Sequence, residues 1–224
     1  MELLNQLGLS QEQISKFEVY LELLLEWNNK FNLTAITDRD EIEEKHFLDS
    51  IEIVKFFDLN NKTLLDVGSG AGFPGIPLAI AVPSLNVTLL EANGKKITFL
   101  QEVVKKLNLG NVKVVQGRAE ELNSRESYDI VTARAVKELN ILLEIAFYLV
   151  KVGGCFIAYK GPGAKEELER AKGALKALGA DKPVLVEYKL QKSQNSRVFL
   201  KILKKSATSK RYPRRYGEIV KHPL

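Results

Sequence analysis

The chain has one cysteine, one methionine, one tryptophan and two histidines among 224 residues. A single thiol, Cys155, excludes an internal disulfide and any cysteine-based zinc cluster, and His46 and His222 stand too far apart for metal-ligand spacing. No resident metal is therefore expected, and a reducing compartment is the natural setting. Long apolar runs are missing too: none approaches the ~18 residues of a membrane span. Met1-Glu2-Leu3-Leu4-Asn5 lacks the basic start and apolar stretch of a leader, so the expectation is a cytoplasmic protein with no membrane partner. With 45% hydrophobic and 27% charged residues, disorder and low complexity are excluded, and the length allows one full core plus an appendage.

Charge, by contrast, is present as a gradient. Residues 1–60 carry 5 basic and 13 acidic groups, residues 61–200 carry 20 and 14, and residues 201–224 carry 8 and 1. A strongly basic end suggests a polyanionic partner, though a solvated basic terminus has the same composition. In the acidic head, Ser10 and Gln13 form a capping-box pattern and Ile14, Phe17, Leu21 and Leu24 recur at helical spacing. A second helix is expected from Thr37 or Asp38 to about Phe57. After Asn60-Asn61 short β-branched runs alternate with helical stretches, the rhythm of a parallel sheet. Strands are read at 63–67, 86–91, 112–116, 128–133 and 154–159, with helices at 74–81, 94–107, 138–150 and 164–178. Residues 183–190 and 197–203 follow with no helix between them and should pair as an antiparallel hairpin. The expected organisation is a helical extension over 1–60 packed on an α/β core over 61–204, followed by a basic tail over 205–224.

The strongest motif is Asp66-Val67-Gly68-Ser69-Gly70-Ala71-Gly72-Phe73-Pro74-Gly75, leaving a strand and entering a helix. Glycines at 68, 70 and 72 allow a tight turn and close ligand approach, and the free N–H groups of a helix start favour an anion. Glu91, at the end of the next strand, can accept both hydroxyls of a ribose. Gly70-x-Gly72-x-x-Gly75 with Glu91 also fits a dinucleotide fingerprint, which keeps an NAD-dependent oxidoreductase open as an alternative. The Asp66-x-Gly68-x-Gly70-x-Gly72 pattern resembles motif I of class I S-adenosylmethionine methyltransferases, where a carboxylate suits a cationic methionine end. Little chain remains after the hairpin for a separate catalytic domain.

Ligands of open α/β sheets bind at the carboxyl ends of the strands. Glu120 there could receive an adenine amino group, and Lys160, before Gly161-Pro162-Gly163, could hold a phosphate. The fourth strand ends in Thr132-Ala133-Arg134-Ala135-Val136, not in the Asn/Asp-Pro-Pro-Tyr/Phe that usually serves exocyclic base amines. Cys155 falls within a core strand, against covalent pyrimidine C5 chemistry. An acceptor with its own lone pair, such as a purine ring nitrogen, is favoured.

Asn32-Leu33-Thr34, Lys45-His46-Phe47-Leu48-Asp49-Ser50, the glycine loop through Leu78, Gly117-Arg118-Ala119-Glu120-Glu121, Arg134-Ala135 and Tyr212-Pro213-Arg214-Arg215 together resemble the bacterial small-subunit rRNA guanine-N7 methyltransferase family, RsmG or glucose-inhibited division protein B. The resemblance spans nearly the whole chain. It implies a class I, Rossmann-like methyltransferase: a seven-stranded, mostly parallel sheet with a terminal antiparallel hairpin and N-terminal helices. It implies S-adenosylmethionine as cofactor, held by Gly68, Phe73, Glu91, Ala92, Asn93, Ala119, Glu120 and Arg134, beside Asp66, Gly70 and Gly72 of the loop. The implied substrate is a guanine of 16S rRNA near the decoding centre, in the RNA or the small subunit, which leaves a noncatalytic rRNA-binding module as a further alternative. Arg134 would position a reactant. Lys210, Arg211, Tyr212, Arg214 and Arg215 alternate cations with an aromatic, the composition expected for RNA contact, alongside Lys160. Lys45, Glu91 and Ile219 stand where the family commonly has Arg, Asp and Pro. His46 is read as a hydrogen-bonded structural residue, because guanine N7 has no proton to lose.

Overall fold

The computed structural model describes all 224 residues, Met1 to Leu224. After a 3-10 turn at Leu4–Leu7 comes α1 (Gln11–Asn28), whose capping box is complete: Gln13 N–H donates to Ser10 Oγ, and Ser10 N–H donates to Gln13 Oε1. Its helical stripe buries Ile14, Phe17, Tyr20, Leu21, Leu23 and Leu24. Asp38 caps α2 (Arg39–Ile42), which widens into a π-helical segment, Glu43–Leu48, before α3 (Asp49–Ile51) and a 3-10 turn at Glu52–Lys55. Asp49 N–H donates to the Glu44 carbonyl, five residues back, so one extra residue enters the turn that carries Lys45 and His46.

The core alternates β1 (Thr63–Val67), α4 (Gly75–Ala81), β2 (Asn86–Glu91), α5 (Gly94–Lys106), β3 (Val112–Gln116), β4 (Tyr128–Arg134), α6 (Leu139–Ala146), β5 (Val150–Lys160), α7 (Ala164–Arg170) and α8 (Lys172–Leu178). It closes with β6 (Val184–Lys189), β7 (Ser196–Leu203) and a short α9 (Tyr216–Lys221) in the tail. The seven strands lie in the order β3-β2-β1-β4-β5-β7-β6; β1 to β5 are parallel, and β7 runs against both β5 and β6. The strand order reverses between β1 and β4, which makes the carboxyl ends of those two strands the switch point where a ligand crevice opens.

Period-two alternation sends Cys155, Ile157, Tyr159 and Phe199 to one face of the sheet and Phe156, Ala158, Val198 and Leu200 to the other. The first face is covered by the acidic head with α4 and α5, the second by α6, α8 and the tail. Head and tail therefore flank the sheet from opposite sides.

Three boundaries differ from the sequence reading. The helix expected over 138–150 stops at Ala146, passes through a 3-10 turn and becomes β5 at Val150. The contiguous apolar run Phe147 to Val150 has no period to distinguish helix from strand. Two glycines let β5 begin early: Gly153 adopts φ 84°, and a Cβ on Gly154 would collide with the Asp129 carbonyl. The helix over 164–178 is two, broken at Ala171.

Candidate active site

Two sequential turns build the floor of the crevice. After β1 the chain reverses through Gly68, at φ 68°, whose missing Cβ makes room for Val136. Gly72, at φ 99°, leaves room for the Tyr20 hydroxyl, which donates to the Ala71 carbonyl and ties the loop to α1. Gly68 and Ser69 N–H groups both donate to the Leu90 carbonyl, locking the loop to the end of β2.

Glu91 lies beside the loop, 8% exposed. Its Oε2 accepts from Gly70 N–H at 2.9 Å and its Oε1 from Asn93 N–H at 2.8 Å. One lone pair on each oxygen stays free, so the carboxylate is aimed before any ligand arrives. Asn93 Oδ1 caps α5 by accepting from Lys95 N–H, and the Ala92 carbonyl accepts from Gln116. After β3, Ala119 is buried and fixed by the Tyr148 hydroxyl on its carbonyl. Glu120 Oε1 is buried with no hydrogen-bond partner in the protein. A buried acceptor left unmatched is costly unless a ligand donor meets it. Together these groups fit a nucleoside with two ribose hydroxyls and an exocyclic amine.

Asp66, expected to face the cationic end of the cofactor, lies fully buried below the loop. Its Oδ2 accepts from Gly75 N–H at 3.0 Å at the start of α4, while its Oδ1 is buried with no hydrogen-bond partner in the protein. Burial pushes Asp66 up to about 7, against the opposing pull of Gly75 N–H and Arg134.

Above the loop opens a cleft of about 840 Å³, walled by the head, the β4–α6 turn and the end of β5. Arg134 crosses it. Its guanidinium lies 4.9 Å from the Phe73 ring centre, donates to Asp49 Oδ2 at 3.2 Å and to the Lys45 carbonyl at 3.3 Å, and approaches His46 Nδ1 at 3.4 Å. Asp49 Oδ1 receives the Tyr188 hydroxyl at 2.9 Å and lies 3.3 Å from Arg197 Nε. His46 stacks on Phe73 with centroids 4.5 Å apart, while its Nε2 lies 2.8 Å from Thr34 Oγ1. Burial, then the Arg134 charge, lowers His46 to about 3, so it is neutral and a weak base at physiological pH.

Lys160 lines the same cleft, but its Nζ donates to Glu167 Oε2 at 2.6 Å and to the Lys137 carbonyl at 3.1 Å. The tail departs further from expectation. Tyr212 is 5% exposed, so its ring has no face for a stacked base. Arg214 grips the fully buried Glu144 of α6 through Nε and Nη2, both at 2.6 Å. Lys210, Arg211 and Arg215 are exposed. The sequence reading assigned no role to Thr34 or Asp49, although it singled out their motifs. Arg197 and Tyr188 carried no signal, because only the fold of the hairpin brings them to Asp49.

The chain matches the family model GidB, rRNA small subunit methyltransferase G, over residues 13–197. It is 46% identical over 221 residues to the ribosomal RNA small subunit methyltransferase G of Bacillus cereus, covering 96% of this chain and 92% of that protein. It is likewise 46% identical over 223 residues to the protein of that name from Lachnoclostridium phytofermentans, covering 97% and 92%. Among solved structures, M. jannaschii TYW2 in complex with AdoMet superposes with a TM-score of 0.57 at 21% identity over 75% of this chain and 77% of that one. A SAM-dependent methyltransferase from Aquifex aeolicus gives 0.56 at 21% identity over 74% and 94%. The dinucleotide-enzyme alternative loses its ground, and the chain belongs to the rRNA small subunit methyltransferase G family, an rRNA methyltransferase that uses S-adenosylmethionine on a class I sheet.

Proposed function

We propose that this enzyme methylates N7 of a guanine in 16S rRNA near the decoding centre, acting in the cytoplasm on the RNA or on the small subunit that contains it. The observation that carries the choice of atom is the chemistry of the cleft. His46 is held neutral and weakly basic and both oxygens of Asp49 are engaged, so neither group beside Arg134 is suited to remove a proton. An exocyclic amine must shed a proton during methylation; guanine N7 presents a lone pair and needs only alignment.

When bound, S-adenosylmethionine supplies an electrophilic methyl on a positively charged sulfonium. Glu91 takes the ribose hydroxyls, and Glu120 Oε1 takes the adenine amino group against a wall of Ala92, Asn93 and Ala119. Gly68, Gly70 and Gly72 let the loop approach closely, with Asp66 bracing it from below. Phe73, with His46 and Arg134 packed side by side against its ring, closes the methionine side. Arg134 positions a reactant, its charge offset by Asp49. Lys45, Lys96 and Lys137 line the cleft and meet RNA phosphates; exposed Lys210, Arg211 and Arg215 offer a second basic surface on the tail, while Lys160 braces the wall. The test is transfer of tritium from methyl-labelled S-adenosylmethionine to small subunits from a strain lacking the enzyme. Label should enter 16S rRNA and be absent with subunits already modified in the parent strain. Equal labelling of both subunit preparations would contradict the assignment.

A further inference from the structure

The polarity of the hydrogen bonds around His46 is fixed by donor and acceptor bookkeeping. A guanidinium only donates, so we assign the acceptor role to His46 Nδ1, which faces Arg134 Nη2 at 3.4 Å, and the ring proton to Nε2; the nearby Lys45 carbonyl, the competing partner for Nδ1, already receives Arg134 Nη1. Nε2 then donates to Thr34 Oγ1 at 2.8 Å. Ile36 N–H donates to the same oxygen at 3.1 Å. Both lone pairs of Oγ1 are thereby filled, and the only capacity left to the hydroxyl is its own proton. No protein acceptor takes that proton, and Thr34 lines the cleft.

We propose that the Thr34 hydroxyl is the donor that reads O6 of the acceptor guanine, making Thr34 a specificity-determining residue of the transfer and His46 the positioning residue that fixes its polarity. This inference rests on the guanine-N7 reading and adds the device that selects the base. O6 neighbours N7 on the same edge of guanine, and adenine carries an amino donor in its place. An oxygen with both lone pairs filled cannot accept from that amine, so adenine leaves two donors facing each other. The charge balance also favours Thr34. Methylation at N7 places positive charge on the base, and a neutral hydroxyl beside O6 opposes that charge less than a guanidinium would. His46, neutral at physiological pH, adds no charge either.

The test pairs an enzyme change with a base change. Small subunits are reconstituted on 16S rRNA ligated to carry either the target guanine or 2-aminopurine, which keeps N7 and lacks O6. Wild type should favour guanine, and Thr34→Val should lose about 3- to 10-fold of that preference, the size of one neutral hydrogen bond. Thr34→Ser should restore it. Affinity for S-adenosylhomocysteine, measured by titration calorimetry, should be the same in all three proteins. A purely structural role would slow Thr34→Val equally on both substrates, and that result overturns the inference. A fall in S-adenosylhomocysteine affinity matching the loss in kcat/KM would overturn it by assigning the hydroxyl to the cofactor's carboxylate. If wild type makes no 7-methylguanosine on the guanine subunits, the parent reading fails with it; if it does and the ratio is unmoved, this inference fails alone.

Discussion

Glu91 and His46 show how one side chain can be prepared for its task by its neighbours. Both Glu91 oxygens already accept backbone N–H groups, so binding costs little further ordering of the side chain. Glu91→Ala should weaken S-adenosylhomocysteine binding by roughly 1.5 to 3 kcal/mol, the range of hydrogen bonds to charged groups. Unchanged affinity in calorimetry would remove Glu91 from the site. His46 makes its mark through acid. Its folded value is about 3 against an ordinary 6.5, so the unfolded chain binds a proton that the folded one refuses, and stability is lost as pH falls below 6.5. Asp66, raised from 3.8 to about 7, acts oppositely: the folded state holds the extra proton, and stability is lost as pH rises from 4 to 7. The two partly cancel in the wild type. His46→Gln removes only the first, so between pH 7 and 4.5 it should lose less stability than wild type by about 2 kcal/mol in urea unfolding. Equal losses would show that His46 is not held neutral. Turnover of the same variant at pH 7.5 should drop by far less than the 10²- to 10⁴-fold of a missing general base.

Among the elements, the tail is where structure most changes the sequence reading. Its cations look alike in sequence, but Arg214 is the counterion of Glu144, which is fully buried on α6. Arg125 adds to the anchor by donating to the Tyr212, Thr208 and Ser209 carbonyls. Removing one partner of such a pair strands a buried charge at a cost of about 3 to 5 kcal/mol. Arg214→Ala should therefore lower the melting temperature by roughly 10 °C, while Arg215→Ala leaves it unchanged. Matching melts for the two variants would refute this division of labour. The strands were legible because alternation and flanking turns mark them, and the glycine loop was legible because backbone geometry restricts its residues. The partner of Arg214 was not: Glu144 reads as a polar position on a helix until the tail is folded against it. Nor was the π-helical turn at Glu43–Leu48, since one extra residue in a turn leaves the local apolar pattern nearly intact. The head motifs at Thr34 and Asp49 could be quoted from sequence, yet their roles depend on Arg134 from β4 and on Tyr188 and Arg197 from the hairpin.

Taken as a whole molecule, the enzyme separates its charges. The acidic head covers one face of the sheet but turns Lys45 into the cleft, and Lys96 and Lys137 approach from the core. The tail lies on the opposite face with part of its charge neutralised internally. Net charge therefore overstates the tail and understates the cleft. Each phosphate contact contributes about 0.7 to 0.9 to the log–log salt slope of RNA binding, so replacing Lys96 and Lys137 with Gln should flatten the slope by roughly 1.5. An unaltered slope would place the RNA elsewhere. The central claim is a methyl group on guanine N7, placed there without proton removal. Its most direct test is digestion of 16S rRNA to nucleosides after reaction with the purified enzyme, followed by mass spectrometry of the methylated product. The account predicts 7-methylguanosine as the single new nucleoside; a methyl on an exocyclic amine, on a pyrimidine carbon or on a ribose would contradict it.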